Sequence, residues 1–559
     1  MSKTPNRWIG LVFISMAISL VIIDGTIVNT IFPSIIADLR LTSTEVQWVQ
    51  ESYVLVFASL LLVWGTIGDR IGRRLLLIIG ILIFIAASVW AGFSTDAASM
   101  ILARIVQGIG GAMVLPTTLS LVNATFQGKE RGIAFAIWGS TIGGMVAVGP
   151  VLGGWLATDF SWRWAFNINV PLGIIIVIGL LIFAAESKST LNQGKIDFVG
   201  AGISVIMFAT LVFGLIEGRT YGWWEVNTAN QFVIGDFKWA ASGISVIPVS
   251  LAIFAISTVL FVIWERKRAA AEKSVILDLD LFHIGSFRNG SIAAGIISMG
   301  EFGLLFAIPL WLQNVQGLNA VSSGMVLLWL AGGAFLASGV GGALSGKLSP
   351  VNAVRIGVAL ELIAVAGIAF IASAEGGWQA IAPFLAVYGV GVGLATAQLT
   401  GVIMTDVPMT KAGQASGSQS TVRQIGSALG IAVLGTVLFT ATQASIETRI
   451  VELPSLSVLD EPNRQYLADQ IAKPVSDSAG AAIVAIPQFL TSQGMPQELA
   501  NEVTVAAADG FTDGMKATGW AAALFLFWQH SFHAWAVRPS VKRVLPKQRL
   551  PRSKCKSPA

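Results

Sequence analysis

The sequence predicts an all-α integral membrane protein of about fourteen transmembrane helices, arranged as two six-helix bundles with two further helices between them. Three observations predict it. Of 559 residues, 54% are hydrophobic and only 12% charged, with a mean hydropathy of +0.74; soluble domains carry roughly 25% charged residues. The apolar residues fall in runs of about 20, long enough to cross a bilayer core about 30 Å thick. Between the runs lie short loops, alternately rich and poor in Lys and Arg.

Such a chain lacks the polar surface of a cytosolic enzyme. One cysteine, Cys555, in the extreme C-terminal tail leaves no disulfide framework and no thiol nucleophile near a partner, and three histidines, His283, His530 and His533, leave little material for a metal centre. No enzyme activity, cofactor or metal is expected. The basic residues sit in loops rather than on one face, so the expected surroundings are a lipid bilayer and not nucleic acid.

The first six windows lie near 9–31, 45–67, 75–94, 98–122, 132–156 and 164–185. A middle pair follows near 196–216 and 240–264, and six more near 287–312, 321–345, 352–373, 379–404, 417–440 and 514–537. Gln529, His530 and His533 weaken the last. The expected division is a first bundle over 1–190, two inserted helices over 191–270, a second bundle over 271–537 with a long loop at 441–512, and a basic tail at 538–559.

Alternate loops set the orientation, because Lys and Arg collect on the cytoplasmic side. Lys3 and Arg7, then Arg70, Arg73 and Arg74, then Lys129 and Arg131, then Arg266, Lys267, Arg268, Lys273 and Arg288 mark that side. The 441–512 segment holds nine acids against Arg449, Arg464 and Lys473, and is placed outside. The tail from Arg538 carries eight Lys or Arg and no acid, and is placed inside with the N-terminus. The first window has no small-residue cleavage site and reads as a span rather than a cleaved signal.

A shift of about 281 residues lays Gly132, Ala134, Gly149 and Gly154 onto Gly413, Ala415, Gly430 and Gly435, and Gly65–Arg74 near a degraded echo at Gly342–Pro350. Duplicated bundles are a transporter architecture, with the substrate site between the halves.

The stretch Gly65-Thr-Ile-Gly-Asp-Arg-Ile-Gly-Arg-Arg74 closes span two and opens span three. Gly65 and Gly72 permit a tight turn, while Asp69, Arg70 and Arg73 can bond helix ends and one another. This stretch resembles the signature loop of the major facilitator superfamily. Arg104 with Gln107-Gly108-Ile-Gly-Gly-Ala112 resembles that superfamily's buried-arginine motif, and Gly149-Pro150-Val-Leu-Gly153-Gly154 its antiporter motif, with Met145 where the pattern places a glycine. Asp24-Gly-Thr-Ile-Val-Asn-Thr-Ile-Phe-Pro33 is similar to the first-helix motif of the fourteen-span drug:proton antiporters. Pro309, Gln313 and Gly317, and Gly413-Gln-Ala-Ser-Gly417 with Arg423-Gln424, extend the resemblance. It implies a monomeric carrier in the cytoplasmic membrane that rocks between two open states, exporting lipophilic, often cationic compounds in exchange for protons. The quaternary-ammonium and dye exporters are the nearest likeness, and their span-two carboxylate matches Glu51.

Ionisable groups inside a membrane are costly and tend to be functional. Asp24 sits deep in span one, Glu51 nearer the outer face in span two, and Arg104 at a similar depth in span four. An arginine at that depth must pair, so Asp24, Glu51, Arg104 and Glu301 are the candidate proton-coupling set. Glu301 and Glu361 lie near the middle of spans nine and eleven. With Asp24, Trp138 and Trp311 they are the candidate substrate-binding residues, since a lipophilic cation is met by negative charge and aromatic faces. Gly149, Pro150, Gly153 and Gly154 are read as a hinge or seal in span five. Export of one specific metabolite on the same scaffold, or a non-transporting sensor, remain open alternatives.

Overall fold

A computed structural model describes residues 6–41, 43–188, 196–228, 231–234, 237–344 and 349–536. The basic tail from Arg538 and residues 345–348 of the Gly342–Pro350 echo lie outside the described residues, as do the side chains of 342–344, Gly143, Pro150, His530 and His533. Seventeen α-helices are described. The first seven are α1 (Arg7–Leu39), α2 (Ser43–Ile71), α3 (Arg73–Gly92), α4 (Ala97–Thr125), α5 (Gly128–Asp159), the short α6 (Arg163–Asn167) and α7 (Asn169–Phe183). The inserted pair is α8 (Phe198–Tyr221) and α9 (Val246–Ala270). Then come α10 (Gly285–Asn314), α11 (Ala320–Leu344), α12 (Pro350–Ile371), α13 (Ala382–Ile403), α14 (Ala412–Val451), α15 (Glu461–Asp477), α16 (Ile486–Ser492) and α17 (Gln497–Ala536). A two-residue hairpin, β1 (Val233–Ile234) with β2 (Phe237–Lys238), lies in the α8–α9 connection.

Each of the fourteen windows falls on a helix, and among the described residues eleven helices are long and apolar enough to cross a membrane. Local chemistry starts several of them. Asp96 caps α4 by accepting from Ser99 N (2.8 Å), Asp197 caps α8 from Gly200 N (2.9 Å), and Ser349 caps α12 from Asn352 N (3.3 Å); such oxygens satisfy donors that have no partner within the helix.

The internal repeat has a packing counterpart. A Cβ on Gly149 would run into Thr26 Oγ1 and lie 3.0 Å from the Ile23 carbonyl of α1, while one on Gly430 would press closer still on the Met299 carbonyl of α10. So α5 leans on α1 as α14 leans on α10, and at both places only a glycine lets the backbones approach. Gly154, in turn, meets Val321 of α11, across the boundary between the halves.

The halves close on each other at the end that carries the Gly65–Arg74 loop. A Cβ on Gly65 would lie 2.5 Å from the Gly413 carbonyl and 3.0 Å from Gly417 Cα, so α2 and α14 touch backbone to backbone. Ser416 Oγ donates to the Pro116 carbonyl of α4 (2.7 Å), closing the same end. The connection between α9 and α10 crosses this junction: its Ile276 carbonyl accepts from Thr66 Oγ1 (2.6 Å) and its Val275 carbonyl from Gln414 Nε2 (3.2 Å).

The 441–512 segment is not a loop. Helix α14 runs on to Val451, α17 begins at Gln497, and α15 and α16 fold against them. Ile446, Ile450, Leu456, Ile471, Val475, Ile486, Leu490, Val503 and Phe511 are buried in this extension. On α14 and α17 such residues recur at four-residue spacing, one helix face, which is why both helices continue past the apolar windows instead of ending.

Candidate functional site

Two buried charge clusters and one loop contain most of the residues singled out in the sequence. In the first half, Arg104 Nη1 of α4 donates to Asp24 Oδ2 of α1 at 2.7 Å, and both side chains are fully buried. Asp24 Oδ1 accepts from Gln107 Nε2 (2.7 Å) and Asn169 Nδ2 (2.8 Å), and Ser88 Oγ accepts from the same two amides. The guanidinium also bonds Gln107 Oε1 and the Val49 carbonyl and lies 4.2 Å from the centre of the Tyr53 ring. A buried pair is tolerated when its remaining polar atoms are bonded as well; the amides complete Asp24, while Arg104 Nη2 has no hydrogen-bond partner and the guanidinium rests on the Tyr53 ring. In this conformation Asp24 offers no surface to a ligand.

The second half treats its acids differently. Glu301 of α10 and Glu361 of α12 both lie within electrostatic reach of Arg423 of α14. Neither oxygen of Glu361 has a hydrogen-bond partner, nor does Glu301 Oε2. Glu301 and Arg423 line a cavity between the halves, together with Gly139 and Ile142 of α5, Phe302 and Leu305 of α10, Leu330 of α11, and Tyr388, Val392 and Thr396 of α13. The Tyr388 hydroxyl and Thr396 Oγ1 are also buried without partners. Buried polar atoms are nearly always bonded, so this wall holds unused capacity for a polar or charged ligand beside apolar and aromatic surface. Glu361 stands one layer behind it, against Gly391 of α13.

Glu51 is half-buried and faces the inserted helix α8 rather than Arg104. The two tryptophans proposed as cavity residues are not there. Trp138 donates its indole N–H to Thr118 Oγ1 (3.2 Å) inside the first half, and Trp311 to Thr512 Oγ1 (3.0 Å) inside the second. Each ring is buried where an apolar body and one bonded N–H are both accommodated.

The loop cluster works through helix ends. Asp69 accepts from Arg73 Nε and Nη2 (2.9 and 2.6 Å) and from the backbone N–H of Gly413 and Gln414 (2.8 and 3.2 Å). A carboxylate thus sits on the N-terminus of α14, where the helix dipole favours negative charge, and joins the halves. Gly72 turns the chain with φ 122°, a conformation costly for any residue with a Cβ. Glu186, given no role by the sequence, accepts from Arg74 N (3.0 Å) and Leu75 N (3.1 Å) and caps α3. Arg70 lies near Asp197 and Arg268, tying the loop to the inserted pair. Gly153 is buried within α5.

Comparison with known proteins agrees with this geometry. The profile of the Major Facilitator Superfamily matches residues 14–431. The multidrug efflux pump LfrA of Mycolicibacterium smegmatis is 29% identical, covering 94% of this chain and 95% of its own. The probable actinorhodin transporter of Streptomyces coelicolor is 30% identical over 78% of this chain and 73% of its own, and the puromycin resistance protein pur8 of Streptomyces alboniger is 30% identical over 79% and 83%. Among solved structures, the human organic anion transporter MFSD10 superposes with a TM-score of 0.55 at 10% identity, over 93% of this chain and all of its own, a likeness of fold. The chain belongs to the Major Facilitator Superfamily.

Proposed function

We propose that this member of the superfamily is a proton-coupled antiporter that exports lipophilic, mainly cationic drugs across the cytoplasmic membrane by alternating access, with both termini in the cytoplasm. One observation carries the reading: at the cavity between the halves, Glu301 in the wall and Glu361 one layer behind it share a single arginine. If Glu301 and Glu361 are both ionised, Arg423 leaves one negative charge uncompensated in a medium where that is expensive. A proton or a cationic drug can neutralise it, and both need not bind together. Competition for one charge is enough to produce exchange.

The Lys- and Arg-rich loops support placing the Gly65–Arg74 end in the cytoplasm, which makes this conformation one closed to the cytoplasm. Opening that end requires Asp69 to leave the α14 N-terminus and Gly65 to separate from Gly413. Drug then enters against Glu301, with Phe302 and Tyr388 providing aromatic contact. After the halves rock, protons arriving from outside displace it. The ion pair of Asp24 and Arg104 holds α1 and α4 together and belongs to the coupling set through its hold on α2 at Val49. Names of relatives tied to a single antibiotic, such as puromycin or actinorhodin, support a second reading, export of one natural product.

The test is purified protein in liposomes with an imposed proton gradient. Uptake of a fluorescent lipophilic cation and a matching proton efflux are expected, and Glu301→Gln should abolish both. A gradient-independent cation flux, or an unaffected variant, would overturn the proposal. A panel of cationic, neutral and natural-product substrates separates the two readings.

A further inference from the structure

The inserted pair meets the first half through α2, and the seam contains a second pair of acids. Glu51 of α2 and Glu217 of α8 face each other across it, close enough for each carboxyl group to feel the other. Glu217 is 2% exposed, and neither of its oxygens has a donor; Oε2 of Glu51 is buried in the same condition. Aromatic packing closes the seam, with Trp48 stacked on Phe213 (6.4 Å between centroids) and Phe213 against Phe232 (5.5 Å).

No base balances the pair among the described residues. Helix α9 carries no titratable residue from Val246 to Trp264, and α14 none between Arg423 and Glu447. On α2, Tyr53 faces Arg104, and on α8, Tyr221 lies within electrostatic reach of both acids. The side chain of Arg219 lies outside the described residues. Two facing carboxylates in such a seam repel each other and have no donor to share. With one proton between them, the protonated group donates to the other and both are satisfied.

We propose that Glu51 and Glu217 form a proton-binding site, sharing one proton while α8 is docked on α2. When that O–H bond breaks and the proton passes to water, two carboxylates are left facing each other and the seam loosens. Helix α2 lies between this site and the first cluster, since Val49 and Tyr53 touch Arg104 while Trp48 and Glu51 face α8. The inserted helices are thereby joined to a core helix through a titratable contact. This inference stands without the reading of Glu301 and Glu361 as the exchange site.

The experiment is infrared titration of the full chain in lipid vesicles without substrate, comparing wild type with Glu51→Gln, Glu217→Gln and the double variant. Near neutral pH each single variant should lose the signal of one protonated carboxyl per chain, because the remaining acid can accept from the glutamine amide and ionise. The double variant should lose no more than either single one. If one variant does not accumulate, the other decides on its own by the loss of that signal. An unchanged protonated-carboxyl signal, or losses that add in the double variant, would overturn the shared proton. Glu301→Gln in parallel reports on the exchange site separately, since its loss should add to that of Glu217→Gln.

Discussion

The two halves of this transporter are built on one repeated plan and treat their buried acids in opposite ways. In the first half one acid meets one base: Asp24 is paired with Arg104, and amides from Gln107 and Asn169 complete its bonding. In the second half two acids meet one base, and three of the four carboxylate oxygens have no hydrogen-bond partner. A balanced pair whose carboxylate is fully bonded stiffens a bundle and has little left to offer a ligand. An unbalanced trio beside a cavity is poised to take up charge. Repetition of the helices therefore does not repeat the charge balance, because a few polar side chains differ between the halves.

That contrast can be broken most severely at Arg104. Arg104→Ala should cost about 3–5 kcal/mol, the usual loss when one member of a buried pair is removed, read as a large fall in the thermal unfolding midpoint of purified protein. Arg423→Ala should keep the midpoint near wild type while abolishing drug–proton exchange. Equal destabilisation by both substitutions would dissolve the distinction between the halves.

A smaller effect is expected at Glu301. Glu301→Gln should weaken binding of a lipophilic monocation about tenfold, or ~1.4 kcal/mol, and leave a neutral analogue unaffected; binding titrations on purified protein measure both. Next comes the seal. Gly65→Leu cannot close against Gly413, so a cysteine introduced at Val392 in a Cys555→Ser background should react faster with an impermeant reagent added from the Gly65 side. Labelling at the wild-type rate would show that the close approach of α2 and α14 is not what shuts that end.

The smallest effect belongs to an exposed pair of the first half. Asp38 accepts from Arg163 and Trp162, and these hydrogen bonds hold its carboxyl below the usual carboxylate range. A lowered value stabilises the fold above the unfolded carboxylate's pKa, and the gain is lost as pH falls through the folded value. Unfolding midpoints of wild type and Asp38→Asn should differ slightly at neutral pH and converge on acidification.

Much of the architecture was legible in sequence, because spanning helices must be apolar over a fixed length and loops must carry the charge. The intramembrane acids were legible for the same reason: each stands out against its apolar run. What surrounds them was not. Asp24 and Arg104 lie 80 residues apart and are joined by folding, while Gln107 and Asn169 complete their pair without any charge to mark them. Arg423 looked like a charge at the entrance to span thirteen, yet it stands with Glu301 at the cavity, since α14 begins well before its apolar run. Glu217 lies just past the apolar window of span seven, where nothing in the sequence singles it out. Trp138 and Trp311 are aromatic residues inside spans, a description that fits packing and cavity alike.

By itself the sequence determined that this chain lives in a bilayer, where its apolar spans fall, where its tight turns lie, and which side chains are too costly to bury without a role. Those properties depend on local composition against a slab of fixed thickness. Only the tertiary structure decided which acids are neutralised and which are left open, because a buried charge is set by partners on other helices, and the pattern along one helix contains no record of the face that another will present to it.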